Sequence, residues 1–427
     1  MSTLLSVSVA LLVGLLMTRV FKPLKLPSVT AYLIAGVLIG PYCIGRLNIS
    51  GLGFTSTDAV SKLSLISEVA LGFIAFSIGN EFRLSDLKKT GKQAFVIGIF
   101  QALVATIFVD VALFGLYLLM PARLSVAQLI TLGAIATATA PAATLMVVRQ
   151  YKAKGPLTDL LLPIVALDDA VGLIVFAVSF GIAKTLKTGQ IDMISVILNP
   201  LIEIVCSLGL GAIMGWVLTQ LEKLFNSNTN RLNMSIAFVF LTAALSMMDF
   251  HIGNIHVSFS SLLVCMMLGT VFCNICPLSE DLMEKTDKWT SPLFALFFVI
   301  SGAELELSVF TELAVVIIGI VYIISRSLGK CFGAYASAKF TKCEPNICKY
   351  LGITLLPQAG VALGMCATAM QLGEEGALVR NIILFAVLIY EIVGPVMTRH
   401  ALTLAGDIKP MPEEVKMRRH HKLKQQS

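Results

Sequence analysis

The sequence predicts an all-α polytopic membrane protein with about thirteen transmembrane helices, and three observations support this fold class. The 427-residue chain is 56% hydrophobic and only 14% charged, a composition typical of membrane proteins rather than soluble ones. Apolar stretches long enough to cross a bilayer recur from the first residues to about residue 404. Two of these stretches carry proline among small or hydroxyl residues, which predicts broken helices.

The individual spans follow when the chain is cut at charge clusters and at proline or glycine clusters. Their predicted bounds are 3–19, 29–45, 63–80, 94–119, 126–148, 159–183, 193–221, 232–249, 255–276, 290–304, 311–337, 350–372 and 378–400. We therefore predict a transmembrane domain over 1–404, followed by a short basic cytoplasmic tail over 405–427.

Positive charge sets the predicted orientation. Most of the 32 lysine and arginine residues follow odd-numbered spans, which predicts a multi-pass protein of the inner (plasma) membrane with its N-terminus outside and its C-terminus in the cytoplasm. The net charge of +6 is then a consequence of topology, and nucleic-acid binding is not predicted. The first span lacks a basic n-region and a cleavage site, so we expect it to be retained.

No cofactor is predicted. The nine cysteines lie mostly inside apolar segments, and the pairs Cys273/Cys276 and Cys343/Cys348 have no matching second pair or nearby histidine. The sequence has no phosphate-binding loop motif, and the tail is too short for a nucleotide-binding domain. Transport energy is therefore expected to come from an ion gradient.

The sixth span carries the strongest functional signal, because two adjacent carboxylates, Asp168 and Asp169, lie in its middle. A charged side chain at the membrane centre costs at least about 2.5–3.5 kcal/mol, so such residues persist mainly where they face a cavity and have a function. We predict an ion or proton site here. The competing interpretation is a pair of buried acids, neutralised by protonation or by salt bridges, with no role in transport.

The two halves of the chain resemble each other at an offset of seven spans. Ala136–Ala143 (ATATAPAA) matches Gly352–Gly364 (GITLLPQAGVALG), and Asp169–Gly172 (DAVG) matches Glu391–Gly394 (EIVG). Because an odd offset reverses the orientation, the sequence predicts an inverted-topology repeat.

Repeat one then covers about 1–184, a linker helix about 193–221, and repeat two about 232–402. The two proline-containing segments are expected to cross near the bilayer centre, where half-helix ends can hold an ion. Thr137 and Thr139 lie in the first segment and either bond back to helix carbonyls or line the ion path.

Span eleven supplies basic partners. Arg326 and Lys330 are spaced i,i+4 and share a helix face. Lys330 lies deeper, and a buried lysine needs an acidic partner, although both side chains could instead extend to the membrane surface. An Asp168–Lys330 pair would leave Asp169 as the exchanging carboxylate. Glu391, opposite Asp169 in the repeat, is expected to hold backbone amides of the crossing segment.

These features together resemble the bacterial monovalent cation:proton antiporters, the branch that includes Na+/H+ antiporters and glutathione-gated K+ efflux systems. The resemblance covers nearly the whole chain. Its motifs are Leu26–Pro41 (LPSVTAYLIAGVLIGP), Glu68–Glu81 (EVALGFIAFSIGNE), Phe297–Leu307 (FFVISGAELEL) and Arg326–Lys330 (RSLGK).

The resemblance implies that Asp169 binds the cation or protons, that Lys330 pairs with Asp168, and that Thr137 and Thr139 lie in the unwound crossing segment. An acid at position 168 is similar to that of electrogenic members. The family also implies a core of spans four to six and eleven to thirteen that moves against a dimerisation bundle, an elevator-like mechanism in a homodimer. The chain departs from the gated K+ systems in lacking room for their nucleotide-binding domain.

The predicted function is secondary active antiport of a monovalent cation, Na+ or Li+ with K+ as a further candidate, against protons. The protein is predicted not to be an enzyme, since the adjacent aspartates are followed by Ala170-Val171-Gly172 rather than by the third carboxylate of a Mg2+-binding DDxxD motif. The alternatives are a sodium-coupled solute symporter on a related inverted-repeat fold and a passive channel. The expected partners are monovalent cations, protons and the lipid bilayer.

Overall fold

The computed structural model describes most of the chain. The described residues are 3–21, 23, 28–47, 49, 53–80, 82–85, 91–121, 123–140, 144, 147–148, 151–188, 193–248, 250–252, 255–257, 259–305, 307 and 311–408. The basic tail from residue 409 onward lies outside them.

The described chain is almost entirely helical. Its helices, in chain order, are α1 Thr3–Phe21, α2 Ser28–Ile39, α3 Thr57–Ser61, α4 Ser64–Asn80, α5 Gly91–Leu119, α6 Val126–Ile135, α7 Pro156–Thr188, α8 Met193–Glu222, α9 Asn228–Ser246, α10 Ser261–Ile275, α11 Ser279–Ala303, α12 Leu313–Phe340, α13 Pro345–Thr354, α14 Gly360–Ala369 and α15 Glu374–Ala405. Seven of the described helices are long and apolar enough to cross a membrane, and further apolar helices are shorter. The all-α membrane fold is therefore confirmed, and each predicted span corresponds to one helix or to a broken one.

The ninth span is shorter than predicted. Residues 255–257 do not open a helix but form strand β2 (Ile255–Val257), which pairs antiparallel with β1 (Phe250–Ile252) and places His251 opposite His256. Aromatic and β-branched residues favour strands, and α10 begins only after its N-cap, Ser260.

The tenth span is longer than predicted. Hydropathy limits it to 290–304, whereas α11 starts at Ser279. Its first turns are charged, but ion pairs one turn apart stabilise them as helix outside the apolar region. These pairs are Lys285–Asp281 at 2.5 Å and Lys288–Glu284 at 2.6 Å.

Packing outside the core follows the predicted inverted repeat. Helix α2 crosses α11, and α4 crosses α10; an offset of seven spans converts one pair into the other. Both crossings bring backbones into contact at glycine, because a Cβ on Gly36 would lie 2.0 Å from the Val299 carbonyl oxygen and one on Gly79 2.2 Å from that of Met266. The exact bounds of the two repeats stay a prediction.

A second bundle, which we call the core, consists of α5, α6, α7, α12, α13, α14 and α15. Helices α5 and α12, which the repeat relates to each other, pack along their length. At one end of the core Asp407 caps α7, accepting hydrogen bonds from the backbone N–H of Thr158 at 2.6 Å and from its hydroxyl at 2.7 Å.

Candidate ion-binding site

Two interrupted helices meet in the middle of the core. Helix α6 ends at Ile135, α13 ends at Thr354, and the chain is not helical over 138–140 and 356–359. The Ala140 N–H donates a hydrogen bond of 2.8 Å to the Pro357 carbonyl, so the two extended segments are in direct contact. The predicted crossing of two broken helices is thereby confirmed.

Arg326 links both breaks. Its side chain is fully buried and stacks on the Tyr390 ring at 4.5 Å, so it does not extend to the membrane surface. The guanidinium satisfies backbone acceptors that the broken helices leave without an intrahelical partner, and it opposes the negative ends of the half-helix dipoles. Its acceptors are the carbonyls of Ala136 at 3.0 Å, Leu356 at 2.8 Å and Ala138 at 2.6 Å.

Asp168 and Lys330 form a completely buried ion pair. Lys330 Nζ lies 2.6 Å from Asp168 Oδ2, and neither side chain is accessible to solvent. Lys330 also donates to the Thr137 carbonyl at 2.5 Å and to Thr139 Oγ1 at 3.0 Å, so all three of its N–H groups have acceptors.

The two threonines have different roles. The Thr137 hydroxyl bonds back to the Ala134 carbonyl at 2.7 Å, and only its backbone carbonyl faces Lys330. The Thr139 hydroxyl instead donates to Asp168 Oδ2. Of the two, Thr139 is thus the one whose side chain contacts the carboxylate.

Asp169 is buried, with 3% of its surface exposed, and follows Asp168 on α7. Because adjacent residues on a helix point about 100° apart, it faces a different direction from the ion pair. Four charged side chains are thus buried on α7 and α12, the acids Asp168 and Asp169 and the cations Arg326 and Lys330. We call these four residues the charged cluster.

Glu391 forms its hydrogen bond with a helix outside this cluster. It is fully buried on α15, and its Oε2 accepts a hydrogen bond of 3.4 Å from the Thr30 hydroxyl of α2. Within the described part of the chain its other oxygen, Oε1, has no hydrogen-bond partner. The backbone N–H groups of residues 142 and 143 lie outside the described residues, so the expected contact of Glu391 with amides of the crossing segment stays a prediction.

Two glutamines complete the site and were not predicted from the sequence. Gln101 Nε2 donates to Asp168 Oδ1 at 2.5 Å, and Gln358 Nε2 donates to the Ile135 carbonyl at 2.9 Å. The sequence feature that could have marked each glutamine is an uncharged amide within an apolar span. Among the described residues, no group of three or more His, Cys, Asp or Glu side chains could hold a metal ion.

Comparison with protein families gives one match across the chain. A family model described as "Sodium/hydrogen exchanger, transmembrane" matches residues 7–404.

Curated relatives match over shorter stretches. Cation/H(+) antiporter 19 of Arabidopsis thaliana is 33% identical over 84 residues, which is 20% of this chain and 10% of the relative. Cation/H(+) antiporter 20 of the same plant is 32% identical over 98 residues, 22% of this chain and 12% of the relative. The matched region is thus a small part of either relative's length.

Solved structures match over nearly the whole fold. The sodium proton antiporter MjNhaP1 from Methanocaldococcus jannaschii at pH 8 has a TM-score of 0.69 and 18% identity, covering 94% of this chain and 97% of that one. A second structure of MjNhaP1, from electron microscopy, gives a TM-score of 0.67 with 15% identity and covers 95% of this chain and 98% of that one. At these identities the likeness shows a shared fold.

Proposed function

The chain belongs to the sodium/hydrogen exchanger family, whose members are transporters rather than enzymes, and we propose that it exchanges a monovalent cation for protons across the membrane. The observation that carries this proposal is the buried Asp168–Lys330 pair beside Asp169, where two broken helices cross. The expected cation is Na+ or Li+, with K+ as a further candidate.

Exchange arises from competition at Asp169. A proton and a metal cation cannot both neutralise one carboxylate, so each must leave before the other binds. When the site opens to a compartment of low proton concentration, protons leave and the cation binds. On the other side of the membrane, the cation leaves and protons return.

The ion pair provides a second exchangeable charge. Asp168 and Asp169 are adjacent on α7, so the ion pair lies directly beside the carboxylate at which cation and proton compete. If Lys330 releases Asp168 and gives up its own proton when the cation binds, this proton and the one from Asp169 are exchanged for one cation, and one net charge crosses the membrane in each cycle. We therefore propose that transport is electrogenic.

The movement proposed for this exchange is elevator-like. The core, with both broken helices, would slide against the bundle formed by α1, α2, α4, α9, α10 and α11, and that bundle would form the contact of a homodimer. The distribution of lysine and arginine supports an orientation in the inner (plasma) membrane with the C-terminus in the cytoplasm.

The test is cation-induced proton flux in proteoliposomes, measured separately with Na+, Li+ and K+ and with the membrane potential either clamped or free. We expect saturable flux that responds to the potential and that Asp169→Asn abolishes. Asp159→Asn is the matched control, because Asp159 is an exposed acid on the same helix. It should leave the flux unchanged.

Each other outcome is informative. Wild-type flux from Asp169→Asn would overturn the site assignment. Flux that does not respond to potential would retain antiport but exclude the two-proton stoichiometry. Absence of flux with all three cations would favour the sodium-coupled symporter, which is then tested by sodium-dependent solute uptake.

A further inference from the structure

Gln101 is the third polar side chain that contacts Asp168. It lies on α5, is fully buried, and uses both hydrogens of its amide nitrogen. One is donated to Asp168 Oδ1 at 2.5 Å and the other to the Gly98 carbonyl at 3.0 Å. Both acceptors lack hydrogens when Asp168 is ionised, so the reverse orientation of the amide would place oxygen against oxygen.

The amide is not fully satisfied by these contacts. Its carbonyl oxygen Oε1 is buried and has no hydrogen-bond partner among the described residues. A buried acceptor without a partner is costly. The contribution of this glutamine to fold stability is therefore reduced, and its contact with Asp168 is the feature that distinguishes it.

Gln101 and Lys330 reach Asp168 from two helices in close contact. Helix α12 carries Gly333 directly against Gln101, since a Cβ on that glycine would lie 2.8 Å from the Gln101 Cα. Lys330 is three residues earlier on α12, about one turn away. The lysine holds Oδ2 of the carboxylate and the glutamine holds Oδ1.

We propose that Gln101 is a positioning residue that holds the Asp168 carboxylate in its orientation during the step in which Lys330 releases it. This inference rests on the exchange mechanism proposed above. A buried carboxylate that loses its cation is strongly destabilised unless other donors remain. Gln101 and Thr139 are neutral donors that stay in place, so Oδ2 can turn from the lysine to the transported cation.

The expected effect of Gln101→Met is a rise of about tenfold in the KM for the cation, with the maximal flux within about twofold of wild type. Without the amide, Oδ1 loses this donor, so the carboxylate depends more on Lys330 and becomes less available to the cation. Gln93→Met is the matched control. Gln93 is an exposed residue of the same helix whose amide donates to the Thr341 carbonyl at 2.9 Å, far from the site.

The Asp168→Asn background separates positioning from folding. If Gln101 acts through the Asp168 carboxylate, Gln101→Met should change KM by less than about twofold when Asp168 is already asparagine. Gln101→Asn provides a second variant, because its side chain is too short to reach Asp168. It should reproduce the rise in KM if the methionine variant folds poorly.

Unchanged KM with a lower maximal flux in both glutamine variants would indicate a structural role only and would overturn the inference. The same KM rise in the Asp168→Asn background would also overturn it. These outcomes differ from failure of the proposed function, in which the wild-type protein itself lacks cation flux that depends on Asp169.

Discussion

The predicted repeat aligns Glu391 of the second half with Asp169 of the first, yet the surroundings of Glu391 differ from those of Asp168, the acid next to Asp169. In the first half, Asp168 has a lysine, a hydroxyl and an amide as donors to its two oxygens. In the second half, Glu391 has one hydroxyl at 3.4 Å and a second oxygen without a partner among the described residues. The buried ion pair therefore forms at an acid of the first half and not at Glu391.

The difference shows how the halves divide their tasks. The donors to Asp168 come from both halves, since Gln101 and Thr139 lie in the first and Lys330 in the second. Glu391 instead faces α2, a helix outside the core. We infer that the acid of the first half serves ion exchange and that Glu391 serves the contact between the core and its neighbouring bundle.

The largest effect is expected from removing the cation of the pair. Lys330→Met should lower the stability of the detergent-solubilised protein by about 3–5 kcal/mol, because it leaves a buried carboxylate without its counter-charge. Chemical unfolding measures this loss. Lys339→Met, an exposed lysine on the same helix, is the control. The double variant with Asp168→Asn should recover much of the loss, and failure to recover it would show that the pair is not the source.

A smaller loss of stability is expected from changing Arg326, which lies in the second half and binds carbonyls of the broken helix in the first half. Arg326→Lys keeps the charge, but its N–H groups lie on one nitrogen and cannot span the three carbonyls that the guanidinium reaches from three nitrogens, so we expect about 2–3 kcal/mol of destabilisation. Exchange should also slow, because the geometry of both breaks depends on these bonds. If the lysine variant were as stable and active as wild type, the breaks would be held mainly by their own contact at Ala140 and Pro357.

The most direct test of the asymmetry is neutralisation of the acid in the second half. Glu391→Gln should retain flux within about threefold of wild type, since the Thr30 hydroxyl that donates to Glu391 can also donate to an amide oxygen. The same flux assay applied to Asp169→Asn gives the contrast. Equal loss in both variants would mean that the two acids share the transport task.

The smallest effect is expected from changing Thr30, whose hydroxyl donates to Glu391. Thr30→Val removes one hydroxyl that forms a long hydrogen bond of 3.4 Å. We expect a change of less than about 1 kcal/mol in unfolding free energy. A larger loss, seen in the same unfolding assay, would indicate that this contact holds the core against α2 more firmly than its geometry suggests.

Much of the fold follows from sequence because lipid imposes long apolar segments. The spans, the two breaks and the crossing were predicted, and the family resemblance is confirmed by a match over residues 7–404. Hydropathy does not predict elements that are stabilised by interactions other than burial in lipid. The charged first turns of α11 are held by ion pairs, and the strands before α10 are held by each other.

The charged residues of the candidate site could be predicted from the sequence, whereas its neutral residues could not. A buried lysine in an apolar span needs an acidic partner, and the family resemblance implied Asp168, with which Lys330 forms an ion pair. Gln101 carries no charge, and one amide in a long apolar helix gives no period or motif. For Arg326, spacing alone could not decide between the membrane surface and the crossing carbonyls, because that choice depends on where the broken ends lie.

The order of the donors along the chain has a consequence for biosynthesis. Gln101 and Thr139 precede Asp168 by 67 and 29 residues, whereas Lys330 follows it by 162 residues. At a synthesis rate of about 5–20 residues per second, on the order of ten seconds separate the aspartate from its lysine on the ribosome. Both neutral donors are therefore synthesised before the aspartate, and the ion pair can form only after the chain has been extended to Lys330.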